Sequence, residues 1–153
     1  MCWRFERKES GMTANFIANA SIVINAPRHA VWQALVSPQA IKQYMFGAHV
    51  VSDWREGSPI IWKGQWQGKT YEDKGTIRQC TPEYRLQYSH FSPLSGLPDQ
   101  PDNYHMVTID LAGDGEQTCV TLSQDNNPTE DARTHSEHNW RKMLEGLKKV
   151  VET

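Results

Sequence analysis

The chain has 153 residues, enough for one domain that buries roughly 70% of the surface its unfolded form exposes. Sixteen Lys and Arg against eighteen Asp and Glu give a formal charge of -2, which leaves no basic excess to neutralise a phosphate backbone and excludes nucleic acid as an expected partner. No apolar run approaches the roughly 20 residues that cross a bilayer, so the chain is expected to be soluble, with no membrane partner.

The first residues read MCWRFERKESGM, where Arg4, Glu6, Arg7, Lys8 and Glu9 interrupt any apolar signal core. A flexible tail over 1–14, with Met12 as an alternative start, is expected to precede one domain over 15–153. Cys2, Cys80 and Cys119 are widely spaced and form no CxxC pair. Reduced thiols in a cytoplasmic protein are the expectation, with Cys119 a small packing residue on a strand.

Phe16 to Ile24 is β-branched and apolar and stops at Asn25-Ala26-Pro27, a strand followed by a turn. Ala30, Val31, Ala34 and Leu35 then recur at helical spacing behind Pro27. Ser37 can cap a second short helix carrying Ile41, Tyr44 and Met45. Beyond Gly47 the period changes to two. Strands are predicted over Ala48–Ser52, Pro59–Trp66 and Lys69–Gln79, with Gln67-Gly68 as a hairpin turn. Arg85–Phe91, Tyr104–Leu111 and Thr118–Gln124 follow, the last two joined at Gly113-Asp114-Gly115. The Pro-rich stretch from Ser92 to Asn103 is predicted to be an exposed loop. A long C-terminal helix places Trp140, Met143, Leu144, Leu147 and Val151 on one face. Thr134 and Glu137 have capping-box spacing, and Thr129 offers an earlier start. The order, with strands segregated from helices, predicts an α+β domain.

These elements and several local motifs resemble the SRPBCC superfamily of START, polyketide cyclase and Bet v 1-like proteins, and within it the activator of Hsp90 ATPase homologue-like family. The resemblance runs from about Phe16 to Glu152. It is carried by Asn25-Ala26-Pro27 leading into Val31-Trp32-Gln33-Ala34-Leu35, by Ile41 to Gly47, by Tyr71 to Ile77, by Leu86 to His90, and by Asn139-Trp140 with Met143-Leu144, Leu147-Lys148 and Glu152. It implies a helix-grip fold, in which a curved antiparallel sheet wraps the long C-terminal helix around an internal cavity. That architecture hosts carriers, receptors, cyclases and chaperone regulators, so it does not by itself fix an activity. The eukaryotic activators for which the family is named carry a further N-terminal domain; the resemblance here covers a single domain.

Strand parity puts Leu86, Tyr88 and His90 on one face and His105, Val107, Ile109 and Leu111 on another that shares it. Trp62, Trp66, Tyr71, Tyr88, His90, His105, Trp140, Met143 and Leu144 are therefore the expected ligand-binding residues, an apolar wall with a few polar groups. Six tryptophans in a small domain are also what core and rim packing alone uses, most clearly for Trp32 and Trp140. Asp73 shares the inward parity of Tyr71 and Ile77, although a hairpin salt bridge is the commoner fate of such a charge. His135 and His138 lie three apart on one helix face, a solvated helix start more than a metal site, and no HExxH, GxSxG or phosphate-binding loop is present.

The expected function is a binding protein for a hydrophobic or aromatic small molecule, acting as a monomer or homodimer without metal or cofactor. The alternatives are a co-chaperone-like module that contacts a chaperone, and a cyclase, dehydratase or hydrolase using an inward His or Asp.

Overall fold

A computed structural model of the chain describes residues 16–113 and 115–153. The expected tail over 1–14, with its alternative start at Met12, lies outside the described residues.

Strand β1 (Phe16–Ile24) is followed by helices α1 (Arg28–Leu35) and α2 (Pro38–Tyr44). Strands β2 (His49–Ser52), β3 (Pro59–Trp66), β4 (Lys69–Thr81), β5 (Arg85–His90), β6 (His105–Ala112) and β7 (Thr118–Asn127) come next, and helix α3 (Glu130–Glu152) ends the chain. The strands form one antiparallel seven-stranded sheet in the order β1-β7-β6-β5-β4-β3-β2. With two short helices after the first strand and a long helix against the sheet, this is the helix-grip fold.

Local chemistry accounts for the boundaries. Ser37 caps α2 through its Oγ, which accepts the Ala40 amide at 3.3 Å, with Pro38 in the first turn where its missing N–H is harmless. The loop between β5 and β6 holds two short 3-10 turns, Pro93–Ser95 and Pro101–Asn103. Strand β7 runs past the predicted end at Gln124 because the Asn127 amide donates to the Phe16 and Gln124 carbonyls at 3.1 Å each, while Ser136 Oγ donates to Asn127 Oδ1. Asn127 is buried there with its polar atoms satisfied.

Thr129, not Thr134, begins α3. Its Oγ1 accepts the Ala132 amide at 3.0 Å, and Glu130 and Asp131 in the first turn suit the positive end of the helix dipole. Glu137, the supposed partner of Thr134, instead holds Arg133 at 2.8 Å and accepts the Asn19 amide at 3.0 Å, tying α3 to β1.

The core is the sandwich between the inner sheet face and α3. Met143, Leu144 and Leu147 are buried against Ile24, Ile60, Ile77, Leu86, Val107, Ile109, Val120 and Leu122 in one cluster. Cys119 alternates with buried Thr118 and Val120 and so lies half-buried on the opposite face of β7. It is disulfide-bonded, which corrects the expectation of a reduced thiol at this position. Cys80 is the free cysteine among the described residues.

Urea denaturation separates the two capping assignments. Thr129→Ala is expected to lose about 1 kcal/mol and Thr134→Ala less than about 0.5 kcal/mol. Leu144→Ala is expected to lose about 2–5 kcal/mol through the cavity it leaves.

Candidate functional site

Register decides which side chains meet inside the sheet. Gln67 and Gly68 both take positive φ, 51° and 80°, the conformation of a two-residue type I′ hairpin. That turn pairs Trp66 with Lys69 and, four residues back, Trp62 with Asp73. Between β5 and β6 the outer face is fixed by Arg85, whose Nε and Nη2 donate to the Asp110 carboxylate at 2.6 and 3.1 Å, and by Gln87 Nε2 donating to Thr108 Oγ1 at 3.0 Å. With those pairs outward, Leu86 and Ile109, Tyr88 and Val107, and His90 and His105 oppose one another on the inner face.

Strands β4 and β5 approach closely at Gly75. A Cβ there would lie 1.6 Å from the Ser89 carbonyl oxygen, so any side chain would force the strands apart. Beside it the Thr76 amide donates to the buried Ser89 hydroxyl at 2.9 Å. This approach brings Asp73 Oδ2 to 2.9 Å from His90 Nε2. Asp73 thus faces inward and bridges to the next strand, while its neighbour Glu72 makes the hairpin salt bridge with Lys63 at 3.8 Å. The Trp62 ring lies 5.1 Å from Tyr88 and 5.0 Å, edge-on, from His90, and the two histidine rings are 6.4 Å apart.

The hydrogen bonds define the ring tautomers. His105 Nδ1 sits 2.8 Å from the Asp125 carbonyl, which can only accept, so Nδ1 carries the proton and Nε2 the lone pair. An ionised Asp73 likewise accepts from His90 Nε2–H, and in the neutral imidazole Nδ1 is then the lone-pair atom. Both His90 Nδ1 and Asp73 Oδ1 are buried without a partner. A buried polar atom left so costs about 1–3 kcal/mol, which makes this pair the conspicuous polar expense of the interior. Burial lowers the His105 pKa, an effect stronger than the opposing bond to Asp125. It also raises the Tyr88 and Tyr44 hydroxyls well above their ordinary range, keeping both neutral.

Next to this cluster is a cavity lined by Trp62, Tyr88, Tyr44, Trp54, Met45 and Met143, among others, between the sheet, α2 and α3. Its water-accessible volume is about 20 Å³, the space of a single water. Of the residues expected from sequence, Trp62, Tyr88 and Met143 line it, His90 and His105 lie at the adjoining polar cluster, and Leu144 is core. Trp140 sits at the rim, its Nε1 donating to Gln124 Oε1 at 3.0 Å. Tyr71 lies across Gly64 on the hairpin, and Trp66 at the hairpin's end is 56% exposed, outside the cluster. His135 and His138 are exposed on α3. Among the described residues no three His, Cys, Asp or Glu side chains are grouped to hold a metal ion, and no helix is long and apolar enough to cross a membrane.

A sequence profile of the family described as activator of Hsp90 ATPase homolog 1-like protein matches residues 25–152. The chain belongs to this family. Among solved structures it is similar to ChR145 from Cytophaga hutchinsonii, with 60% identity over 90% of this chain and 94% of that one and a TM-score of 0.78. It shares its fold with the Aha1 dimer from Colwellia psychrerythraea, at 21% identity, coverage of 90% and 96%, and a TM-score of 0.69. DynU16, from the dynemicin biosynthetic locus, has the same fold at 18% identity and a TM-score of 0.74, and its chain is longer: the match covers 90% of this chain and 47% of that one. No curated protein matches the chain.

Family membership leaves the titration of the site to be tested directly. Because the folded His105 pKa lies below 6.5, the unfolded state takes up its proton first. The stability this residue confers is therefore complete above pH 6.5 and is lost as pH falls below it. The urea midpoint of the wild type is expected to drop between neutral and mildly acidic pH, and His105→Asn to drop less; parallel pH profiles would contradict the assignment.

Proposed function

We propose that this protein binds a small apolar or aromatic molecule between the inner face of the sheet and α3. The observation that carries the reading is the aromatic lining of the cavity, with Trp62 and Tyr88 from the sheet and Tyr44 and Trp54 from the segments that close its end. A cavity of about 20 Å³ is far below the several hundred Å³ of a filled ligand site, so binding requires lining side chains to move outward. Met45 and Trp54 are the ones placed to do so. Met45 is the C-cap residue of α2, and Trp54 has φ of 57° in the irregular connection between β2 and β3, so neither is held by a strand ladder.

A second reading, a module that contacts a chaperone or a second copy of the chain, draws on Phe46 and Val51, which are 62% and 51% exposed before and within the edge strand β2. Contact through that edge would leave the interior empty, and the two readings part on that point.

Native mass spectrometry of gently purified protein, followed by thermal-shift measurements with polyketide-like aromatics, tests the proposal. A retained small molecule or a raised transition is expected, abolished by Trp62→Leu and unchanged by Trp66→Ala. A bare chain that no aromatic stabilises would reject it in favour of the surface reading.

A further inference from the structure

The polar corner of the interior restricts what the ligand can be, given the binding reading above. Three side chains converge there from three strands: Asp73 of β4, His90 of β5 and His105 of β6. Each has already committed its donor or accepting atom in a way that leaves an acceptor over. Asp73 Oδ2 takes the His90 Nε2–H, leaving Oδ1; in the neutral imidazole His90 keeps the Nδ1 lone pair; His105 gives its Nδ1–H to Asp125 and keeps the Nε2 lone pair. Two of these atoms, Asp73 Oδ1 and His90 Nδ1, are buried and unpartnered. Asp73 is paired with His90 and with no Lys or Arg side chain among the described residues, so no permanent cation meets the carboxylate in this corner.

A site made of acceptors calls for a ligand made of donors. A carboxylate or phosphate would bring further acceptors and a like charge to Asp73, and is disfavoured twice over. An ammonium would supply donors but would have to shed its hydration in an apolar interior, at a far larger cost than a neutral hydroxyl. Trp62 borders both regions, lining the cavity and standing edge-on 5.0 Å from His90, so a flat ring that displaces or stacks on it brings its substituents to this corner.

We propose that Asp73, His90 and His105 form an acceptor-only subsite that selects a neutral hydroxylated aromatic, whose phenolic O–H groups donate to Asp73 Oδ1 and His90 Nδ1.

Calorimetric titration with dihydroxynaphthalene, dimethoxynaphthalene and naphthoate tests this, because the three share one ring system and differ only in the polar group. The dihydroxy compound is expected to bind on the order of tenfold or more tightly than its methyl ether, the equivalent of one or two hydrogen bonds, with naphthoate the weakest. His90→Phe keeps a ring and removes both nitrogens, and is expected to bring the first two affinities together; His90→Asn, which retains an acceptor near the Nδ1 position, restores part of the difference. Equal wild-type affinities for the hydroxy and methoxy compounds would overturn the subsite and leave the binding reading standing, and that comparison holds even where a variant fails to fold. Failure of all three to bind would overturn both.

Discussion

The seating of α3 is the contact on which the rest of this fold depends. The apolar face of the seven-stranded sheet is covered chiefly by this helix, with α1 and α2 over one end, and Met143, Leu144 and Leu147 supply the buried ridge that fills it. Two features hold the helix at the right depth. Gly146 lets Tyr44 of α2 lie directly on the helix, since a Cβ there would come within 3.1 Å of the Tyr44 Cβ. Tyr44 in turn donates its hydroxyl to the Ala34 carbonyl at 2.9 Å, locking α2 to α1. A glycine in a helix interior is unfavourable by roughly 1 kcal/mol, and here it is offset by the close packing of three helices over the end of the sheet. At the other edge, Glu137 and Lys148 bond the backbone of β1 at Asn19 and Val23, and Glu152 that of Asn25, so that the helix is fastened along its length.

The same geometry creates the site. With the inner face closed by α3, every inward side chain must be apolar or find a partner, and the three strands that carry Asp73, His90 and His105 meet that demand only in part. The outer-face pairs Arg85–Asp110 and Gln87–Thr108 contribute little as exposed polar contacts, yet they fix a register whose one-residue slip would send His90 and His105 to solvent. Gly75 has the complementary role between β4 and β5, where its missing side chain allows the approach that places the Asp73 carboxylate on His90. Structural residues without any chemistry of their own therefore determine the chemistry of the corner.

What could be read from the chain follows from which signals are local. Period-two alternation in β5 and β6 and the three-and-four spacing of α1, α2 and the end of α3 are properties of single segments, and they located those elements to within a few residues. Parity alone also sent His90 and His105 inward. The start of α3 was ambiguous because its first three turns are polar and the apolar stripe begins only at Trp140, so Thr129 and Thr134 looked alike until the backbone was in view. Trp66 shares the parity of Trp62, but parity does not say where the helix stops covering the sheet, and Trp66 lies beyond it. The Asp73–His90 bond depends on a register shift in β4 between Ile77 and Gln79, an irregularity that no residue pattern announces. Trp54 sits in an irregular connection and had no period to reveal its place on the cavity wall.

The interior combines two states that are hard to reconcile in a protein whose only task is to be stable. Its apolar part is packed almost to closure, while its polar corner keeps Asp73 Oδ1 and His90 Nδ1 buried and unpaired. A core selected for stability alone would replace Asp73 and His90 with apolar side chains, since an unsatisfied buried polar pair is worth less than a hydrophobic one of the same shape. A packed apolar wall costs nothing to keep in the empty state, and under the proposed binding function it would open by movement of side chains such as Met45 and Trp54. Unpaired acceptors behave differently, because the free energy they withhold in the empty state is recovered only by a ligand that brings matching donors. Under the proposed binding function, affinity would come mainly from the apolar surface and discrimination from the corner.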